Sequence, residues 1–203
     1  MNSLGFNKKE NDTKVIVAMS GGVDSSVAAV KLKMEGYDVT GVTLRLYNQP
    51  NSSKSKSCCA GIDIDDAKKV AEQYDFPHKI FDYQDKFFNG VISNFVESYA
   101  NGETPVPCIQ CNQTVKFSDL LEESKNLNAD ALVTGHYAIR KGGLKESKLF
   151  KAKDKTKDQS YFLFATLQDQ LDYVRFPLGN YLKSEIRQMA NDFNLIVSDK
   201  PDS

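Results

Sequence analysis

Four short runs rich in β-branched and apolar residues recur along the chain: KVIVA at 14–18, DVTGVTLRL at 38–46, HKIF at 78–81 and ALVT at 131–134. Each is separated from the next by a stretch with helical spacing. Short apolar runs bounded by glycine, proline or polar turns read as buried strands. Strands that alternate with helices across short connections pair in parallel, because each crossover carries the chain back to the same starting edge. The pattern predicts an α/β fold: a doubly wound, mostly parallel, Rossmann-like sheet with helices on both faces and ligands outside the carboxyl ends of its strands. Helices are expected over 23–35, closed by Gly36 as a C-terminal cap, and over 63–74, 86–99 and 112–125. Residues 47–60 read as a polar Ser/Asn/Lys loop, long enough to act as a lid. Pro105 and Pro107 are expected to keep the segment before residue 112 out of a helix.

Past Arg140 the alternation gives way to a hairpin around Gly142 and Gly143, a helix-like DQSYFLFATL and a final helix over 183–193. The expected division is a nucleotide-binding catalytic domain over 14–140 and a basic hairpin and helical extension over 141–203. A length of 203 residues suits one α/β domain with an attachment. At 40% hydrophobic and 26% charged residues the chain is neither disordered nor, with such short apolar runs, membrane-spanning. MNSLGFNKKENDTK lacks the apolar core of a signal peptide, so the expected compartment is the cytoplasm. There the four cysteines stay reduced, and thiol chemistry takes precedence over structural disulfides. Between Arg140 and Asp158 eight basic residues stand against three acidic ones, within a chain of formal charge −1. Such a segment is either a solvated lysine-rich hairpin or a contact for a phosphate backbone.

SGGVDSS, at 20–26, lies between the first strand and the first helix. Glycines there let backbone amides close on an anion, and the helix N-terminus adds its positive dipole end. Ser20, Ser25 and Ser26 offer hydroxyls, and replacing Gly22 is expected to remove positive-φ freedom. Asp24 is a carboxylate able to hold a magnesium ion that bridges phosphates. The run matches neither GxxxxGK[ST] nor GxGxxG, and the P-loop lysine is absent. SGGxDS after a first strand resembles the PP-loop ATP pyrophosphatases, also described as adenine nucleotide alpha hydrolase-like, whose members split ATP between the α and β phosphates.

A second constellation is Cys108-Ile-Gln-Cys111-Asn112. A C-x-x-C serves as half a zinc site, as a redox pair or as part of an iron-sulfur site. The expected start of a helix just after Cys111, with Lys116 a turn beyond, points to a thiol of lowered pKa and hence to a nucleophile that alkylates first. Cys58 and Cys59 read as buried or incidental thiols.

AMSGGVDS, SCCAGIDIDDAKKVA, GETPVPCIQCNQTVKF, ALVTGHYA and KDQSYFLF occur in the order and rough spacing of the tRNA-specific 2-thiouridylases of the bacterial MnmA (TrmU) type, which the chain resembles from about Val15 onward. The resemblance implies an ATP-dependent sulfurtransferase that adenylates C2 of the wobble uridine of tRNAs for Lys, Glu and Gln. Sulfur then arrives from a cysteine persulfide, fed by a cysteine desulfurase or a sulfur-relay protein. Residue by residue, it implies that Ala18, Met19, Ser20, Gly21, Gly22, Val23, Asp24 and Ser25 line the ATP phosphates with Mg2+, and that Leu44 and Gly135 lie near the adenosine. Cys111 would be the nucleophile, Val106, Pro107 and Cys108 would lie against the target base, and Lys157, Asp158 and Gln159 would touch tRNA. Some members carry aspartate where Cys108 stands. The family continues past the equivalent of Ser203 into a second catalytic cysteine, which forms a disulfide with the first, and into β-rich tRNA-binding domains. On that reading this chain lacks the second cysteine and completes no persulfide-driven cycle alone.

Overall fold

β1 (Lys14–Ala18) is buried through its middle three residues, as a strand with a neighbour on each side and helices above and below must be. In chain order it is followed by α1 (Val23–Met34), β2 (Asp38–Arg45), α2 (Gly61–Gln73) and β3 (His78–Asp82). A broken helical arm comes next: α3 (Gln84–Phe87), a π-helical turn Phe88–Ile92 and α4 (Ser93–Ala100). A second arm consists of α5 (Pro107–Cys111), π-helical Asn112–Asp119 and α6 (Leu120–Asn126). Then follow β4 (Ala131–Thr134), β5 (Ala138–Lys141), β6 (Lys148–Lys151), a 3-10 turn Ser160–Leu163, α7 (Gln168–Tyr173), β7 (Val174–Arg175) and α8 (Lys183–Asp192). The structure, a computed structural model, describes residues 1–46 and 61–201. The expected lid over 47–60, with Cys58 and Cys59, lies outside the described residues, as does the side chain of Lys116.

The main sheet runs β3-β2-β1-β4-β7 with every pairing parallel, and β5 and β6 form the predicted antiparallel hairpin. This is the doubly wound sheet that the alternation predicted. The chain builds outward from β1 in one direction through β2 and β3, then returns to build the other side through β4 and β7. The reversal makes the gap between the carboxyl ends of β1 and β4 the topological switch point, where open α/β sheets bind ligands.

Alternation along β1 divides the core in two. Val15 and Val17 pack with α1, α2 and α8 through Val27, Val30, Ala67, Val70 and Ile186. Ile16 faces the opposite layer, with Leu44, Val115, Phe117, Leu120, Leu132 and Leu163. β4 repeats the pattern, with Ala131 and Val133 on the first side and Leu132 on the second. At the end of α1 the Gly36 amide reaches Lys33 O at 3.0 Å and the Tyr37 amide reaches Leu32 O at 3.1 Å. That Schellman closure uses the left-handed conformation of Gly36, φ +95°, which the sequence expected of a capping glycine.

Three local expectations change. The helix expected from residue 112 begins at Pro107, because proline at the first helical position gives up an amide that would have no partner there. DQSYFLFATL yields only the single turn Ser160–Leu163 before α7. The fifth strand, β7, is two residues long, too short for periodicity to reveal. Both β7 and α8 belong to the sequence after residue 140, yet β7 completes the main sheet and α8 packs on α1.

Candidate nucleotide and thiol site

The register of β1 sets the site. Ala18 pairs with Val42 of β2 and with Thr134 of β4, so the loops after these strands leave from one edge. Met19 continues the strand by donating its amide to Val42 O at 2.8 Å, and Leu44 lies buried nearer the carboxyl end of β2. Gly21 then turns with φ +72°, and a Cβ built on it would stand 2.0 Å from the carbonyl oxygen of Asp63 in α2. No side chain fits there. Gly22 is the N-cap of α1 at φ −89°, a conformation open to any residue, and a Cβ there would meet only Ser20 Oγ at 3.5 Å. The expectation that Gly22 supplies the positive φ is therefore corrected: Gly21 does.

The three hydroxyls also differ from expectation. The buried Ser26 donates to Gly22 O at 2.8 Å, and the buried Ser25 accepts from the Ser20 amide at 3.1 Å, so both hold the loop's shape. Ser20 alone of the three is exposed. Val23 points into the core. Gly135, just past β4, closes the other wall; a Cβ there would come within 2.9 Å of the Ser25 amide nitrogen at the start of α1. Glycine at these two places lets the backbone pack directly against α2 and against the start of α1, where no side chain has room.

Asp24 is engaged. Its Oδ1 accepts from the Tyr137 hydroxyl at 2.7 Å, and Lys183 Nζ lies 2.6 and 2.8 Å from its two oxygens. A second lysine, Lys200, donates to Gly21 O at 3.0 Å and Asp63 Oδ1 at 2.9 Å, and pairs with Asp66 Oδ2 at 2.6 Å. Burial alone would lower the Lys200 pKa, but hydrogen bonds to Asp66 and Asp63 outweigh it, and the ammonium is held charged above its ordinary range. Tyr137, Lys183 and Lys200 were not among the expected site residues. Tyr137 sat within reach, inside the quoted ALVTGHYA motif and two residues past Gly135, whereas nothing local marks two lysines at separations of 159 and 179 residues from the loop.

The thiols lie on α5, with Val106 as N-cap and Pro107 as first residue. Cys108 is in the first turn and exposed; Cys111 ends the segment, is 9% exposed, and shares the core layer of Ile16, Leu44 and Leu163. The helix dipole argument for Cys111 is thus overturned, since the helix begins four residues earlier and runs on through it. Among the described residues no group of three or more Cys, His, Asp or Glu side chains is placed to hold a metal. Asn112, also buried, donates from Nδ2 to Phe162 O at 3.1 Å, while its Oδ1 has no hydrogen-bond partner among the described residues.

Lys157, Asp158 and Gln159 form a strut at the edge of the basic hairpin. Gln159 donates its amide to Tyr137 O and accepts the Tyr137 amide at Oε1, both at 2.8 Å. Burial would raise the Asp158 pKa, but the Ala152 amide and the Ser160 hydroxyl, each donating at 2.8 Å, bring it below the ordinary carboxylate value. Beyond the strut, Tyr161 and Phe164 are about two-thirds exposed, with ring centroids 6.1 Å apart.

A family model described as the tRNA methyl transferase HUP domain matches residues 13–203. The chain belongs to this family. It is 55% identical over 204 residues to the tRNA-specific 2-thiouridylase MnmA of Rhodospirillum centenum, a match covering all of this chain and 52% of that protein. The corresponding protein of Dinoroseobacter shibae is 55% identical over 205 residues, with 53% of it covered. The chain thus spans about half the length of the curated relatives it matches. Among solved structures it is similar to a 4-thiouridine synthetase in complex with RNA and bound ATP, at 15% identity and TM-score 0.55, covering 94% of this chain and 43% of that one. It is likewise similar to the NMN synthetase of Francisella tularensis, at 18% identity and TM-score 0.55, covering 95% and 67%. At these identities the two structures share the fold of this family member. No helix among the described residues is long and apolar enough to cross a membrane.

Two outcomes follow from this geometry. Gly21→Ala places a side chain in left-handed backbone against Asp63 and is expected to lower stability by more than the ~1–2 kcal/mol of the conformation alone, whereas Gly22→Ala stays within about 1 kcal/mol of the parent. Urea unfolding of both variants measures the contrast. In the resting chain Cys108 is expected to alkylate before Cys111, the reverse of the order the sequence suggested, and peptide mapping after brief iodoacetamide treatment reads it directly.

Proposed function

We propose that this chain carries the ATP-binding and thiol-bearing part of a tRNA-uridine 2-sulfurtransferase, which forms 2-thiouridine at the wobble position of tRNAs for Lys, Glu and Gln. The observation that carries the reading is the hydrogen bond from Asn112 to Phe162. It joins the CIQCN and KDQSYFLF motifs, 50 residues apart in sequence, into one unit. A thiol-bearing helix is thereby held beside a surface of exposed aromatics and lysines. Aromatic faces that accept unstacked bases, flanked by cations for the backbone, suit a single-stranded RNA loop.

When bound, ATP with Mg2+ would supply an adenylyl group that lets the uracil C2 oxygen, a poor leaving group, depart with AMP. What supports that role is the N-terminus of α1 at the switch point, the exposed Ser20, whose hydroxyl lies 3.3 Å from Ser25 Oγ, and Leu44 and Gly135 at the neighbouring strand ends. Val106, Pro107 and Cys108 form the exposed start of α5, where a splayed base would be held. Cys111 is the thiol proposed to act as nucleophile in sulfur delivery. Its burial keeps it from bulk oxidants between turnovers and requires that the RNA-bound state uncover it. The direct sulfur source is proposed to be a persulfide-bearing desulfurase or relay protein.

The activity is tested by incubating hypomodified tRNA with ATP, magnesium and a sulfide source and looking for 2-thiouridine by nucleoside mass spectrometry. With cysteine and a cysteine desulfurase as sulfur source, in a chain extended to the length of its curated relatives, Cys111→Ser is expected to abolish the product and Cys108→Ser to retain most of it; a product with sulfur on another base, or full activity in Cys111→Ser under those conditions, overturns the assignment. For the RNA surface, Tyr161→Ala with Phe164→Ala is expected to cost about 1–3 kcal/mol of tRNA affinity per stacked base lost. Neutralising one phosphate-contacting lysine among Lys151, Lys153, Lys155 and Lys157 is expected to reduce the slope of log K against log salt by roughly one. An unaltered slope would leave the basic hairpin a solvated face.

A further inference from the structure

Tyr137 is 2% exposed, in the core layer that joins α1 to α8, where the ring of a phenylalanine would pack as well. What distinguishes it is where its polar groups go. The hydroxyl reaches across 113 residues of sequence to donate to Asp24 Oδ1 at 2.7 Å. The amide donates to Gln159 Oε1 and the carbonyl accepts from the Gln159 amide, both at 2.8 Å. One residue thus holds the start of α1 with its side chain and the strut at 157–159 with its backbone.

The strut leads on to the thiol. Asp158 ties it to Ala152 past the end of the hairpin and to Ser160, each at 2.8 Å, and Phe162, three residues beyond Gln159, accepts from Asn112 beside Cys111. Hydrogen bonds and one short run of chain therefore connect Asp24 with the CIQCN helix. A reaction between an ATP phosphorus and a uracil oxygen needs the two ligands at one fixed separation, which neither ligand sets by itself. A tyrosine that only fills the core needs some acceptor for its hydroxyl. Here the acceptor is the carboxylate of the SGGVDS motif.

We propose that Tyr137 is a positioning residue that couples nucleotide binding at the loop after β1 to RNA binding at the strut. It acts through Asp24 on one side and through Gln159 on the other. RNA binding orders the strut and the aromatic turn behind it, at a cost in conformational entropy. A loop already fixed by a nucleotide holds Tyr137, and with it Gln159, so less of that freedom is left to lose when the RNA arrives. Linkage makes the effect reciprocal: RNA raises the affinity for ATP by the same factor. The inference rests on reading the loop as an ATP site and the strut as an RNA contact.

The test measures the affinity for hypomodified tRNA with and without Mg2+ and α,β-methylene ATP, which cannot be split between its first two phosphates, in the chain extended to the length of its curated relatives. The analogue is expected to tighten tRNA binding about five- to twentyfold. Tyr137→Phe keeps the ring and deletes the hydroxyl. It is expected to bring that ratio below about twofold, while each ligand alone binds within about threefold of the parent. Tyr37→Phe is the control, because Tyr37 is equally buried and its hydroxyl meets Ser3 and the Leu4 amide instead, so the ratio is expected to survive. A parent ratio near one, an unchanged ratio in Tyr137→Phe, or an equal loss in Tyr37→Phe makes Tyr137 a structural tyrosine, and the proposal fails. If Tyr137→Phe does not fold, hydrogen exchange of the parent decides: the analogue alone is expected to protect amides over 157–164, and unchanged exchange there overturns the coupling. A parent that binds no analogue or no tRNA defeats the functional reading itself, a result distinct from all of these.

Discussion

Ala18 faces Val42 on one side and Thr134 on the other, and this double pairing is the constraint on which the rest of the molecule depends. Because β1 is shared, the loops after β1 and β4 leave from the same edge with the switch point between them. The first helix can start only where Gly21 clears Asp63 and Gly135 clears Ser25. Glycine at those two places is a matter of volume before it is a matter of ligand. The same shared strand also separates the core into two layers, one fastening α1 to α8 and the other fastening the thiol-bearing arm to the sheet.

That second arm is built irregularly. Between α5 and α6 the helix widens to a π turn over Asn112–Asp119, and the neighbouring arm does the same over Phe88–Ile92. Widened turns recur at functional sites because they rotate side chains out of α-helical phase. Here the widening begins immediately after Cys111, at the residue whose Nδ2 holds Phe162.

Much of this was legible from the residues alone. The four strands of the alternating pattern, the Gly36 cap, the hairpin at Gly142 and the site edge followed from period and punctuation, which are local properties. What escaped was either too short or too distant. β7, at two residues, has no period, and it forms because β4 offers an unpaired edge. The start of α5 was misjudged because Pro107 was read as a breaker although the first turn tolerates it, and the argument from the dipole at Cys111 fell with it. The assignment of positive φ to Gly22 rather than Gly21 shows how a glycine pair conceals which member turns. Motif spacing named the loop, but the ions that balance it, Lys183 and Lys200, could be found only in three dimensions.

Their distance along the chain has a bearing on how the protein is made. Lys183 meets Asp24, Lys200 meets Gly21, and Arg175 donates to Leu4 O, at separations of 159, 179 and 171 residues. During synthesis, β1, α1 and β2 can associate early through neighbouring contacts, but the loop they form keeps an uncompensated carboxylate until nearly the whole of this sequence has emerged. Contacts of such span close slowly, since the entropy of the intervening loop must be lost before they contribute. The candidate site is therefore among the last features to mature on a nascent chain, and a ribosome-bound intermediate would carry a nearly formed sheet with this loop still unpaired.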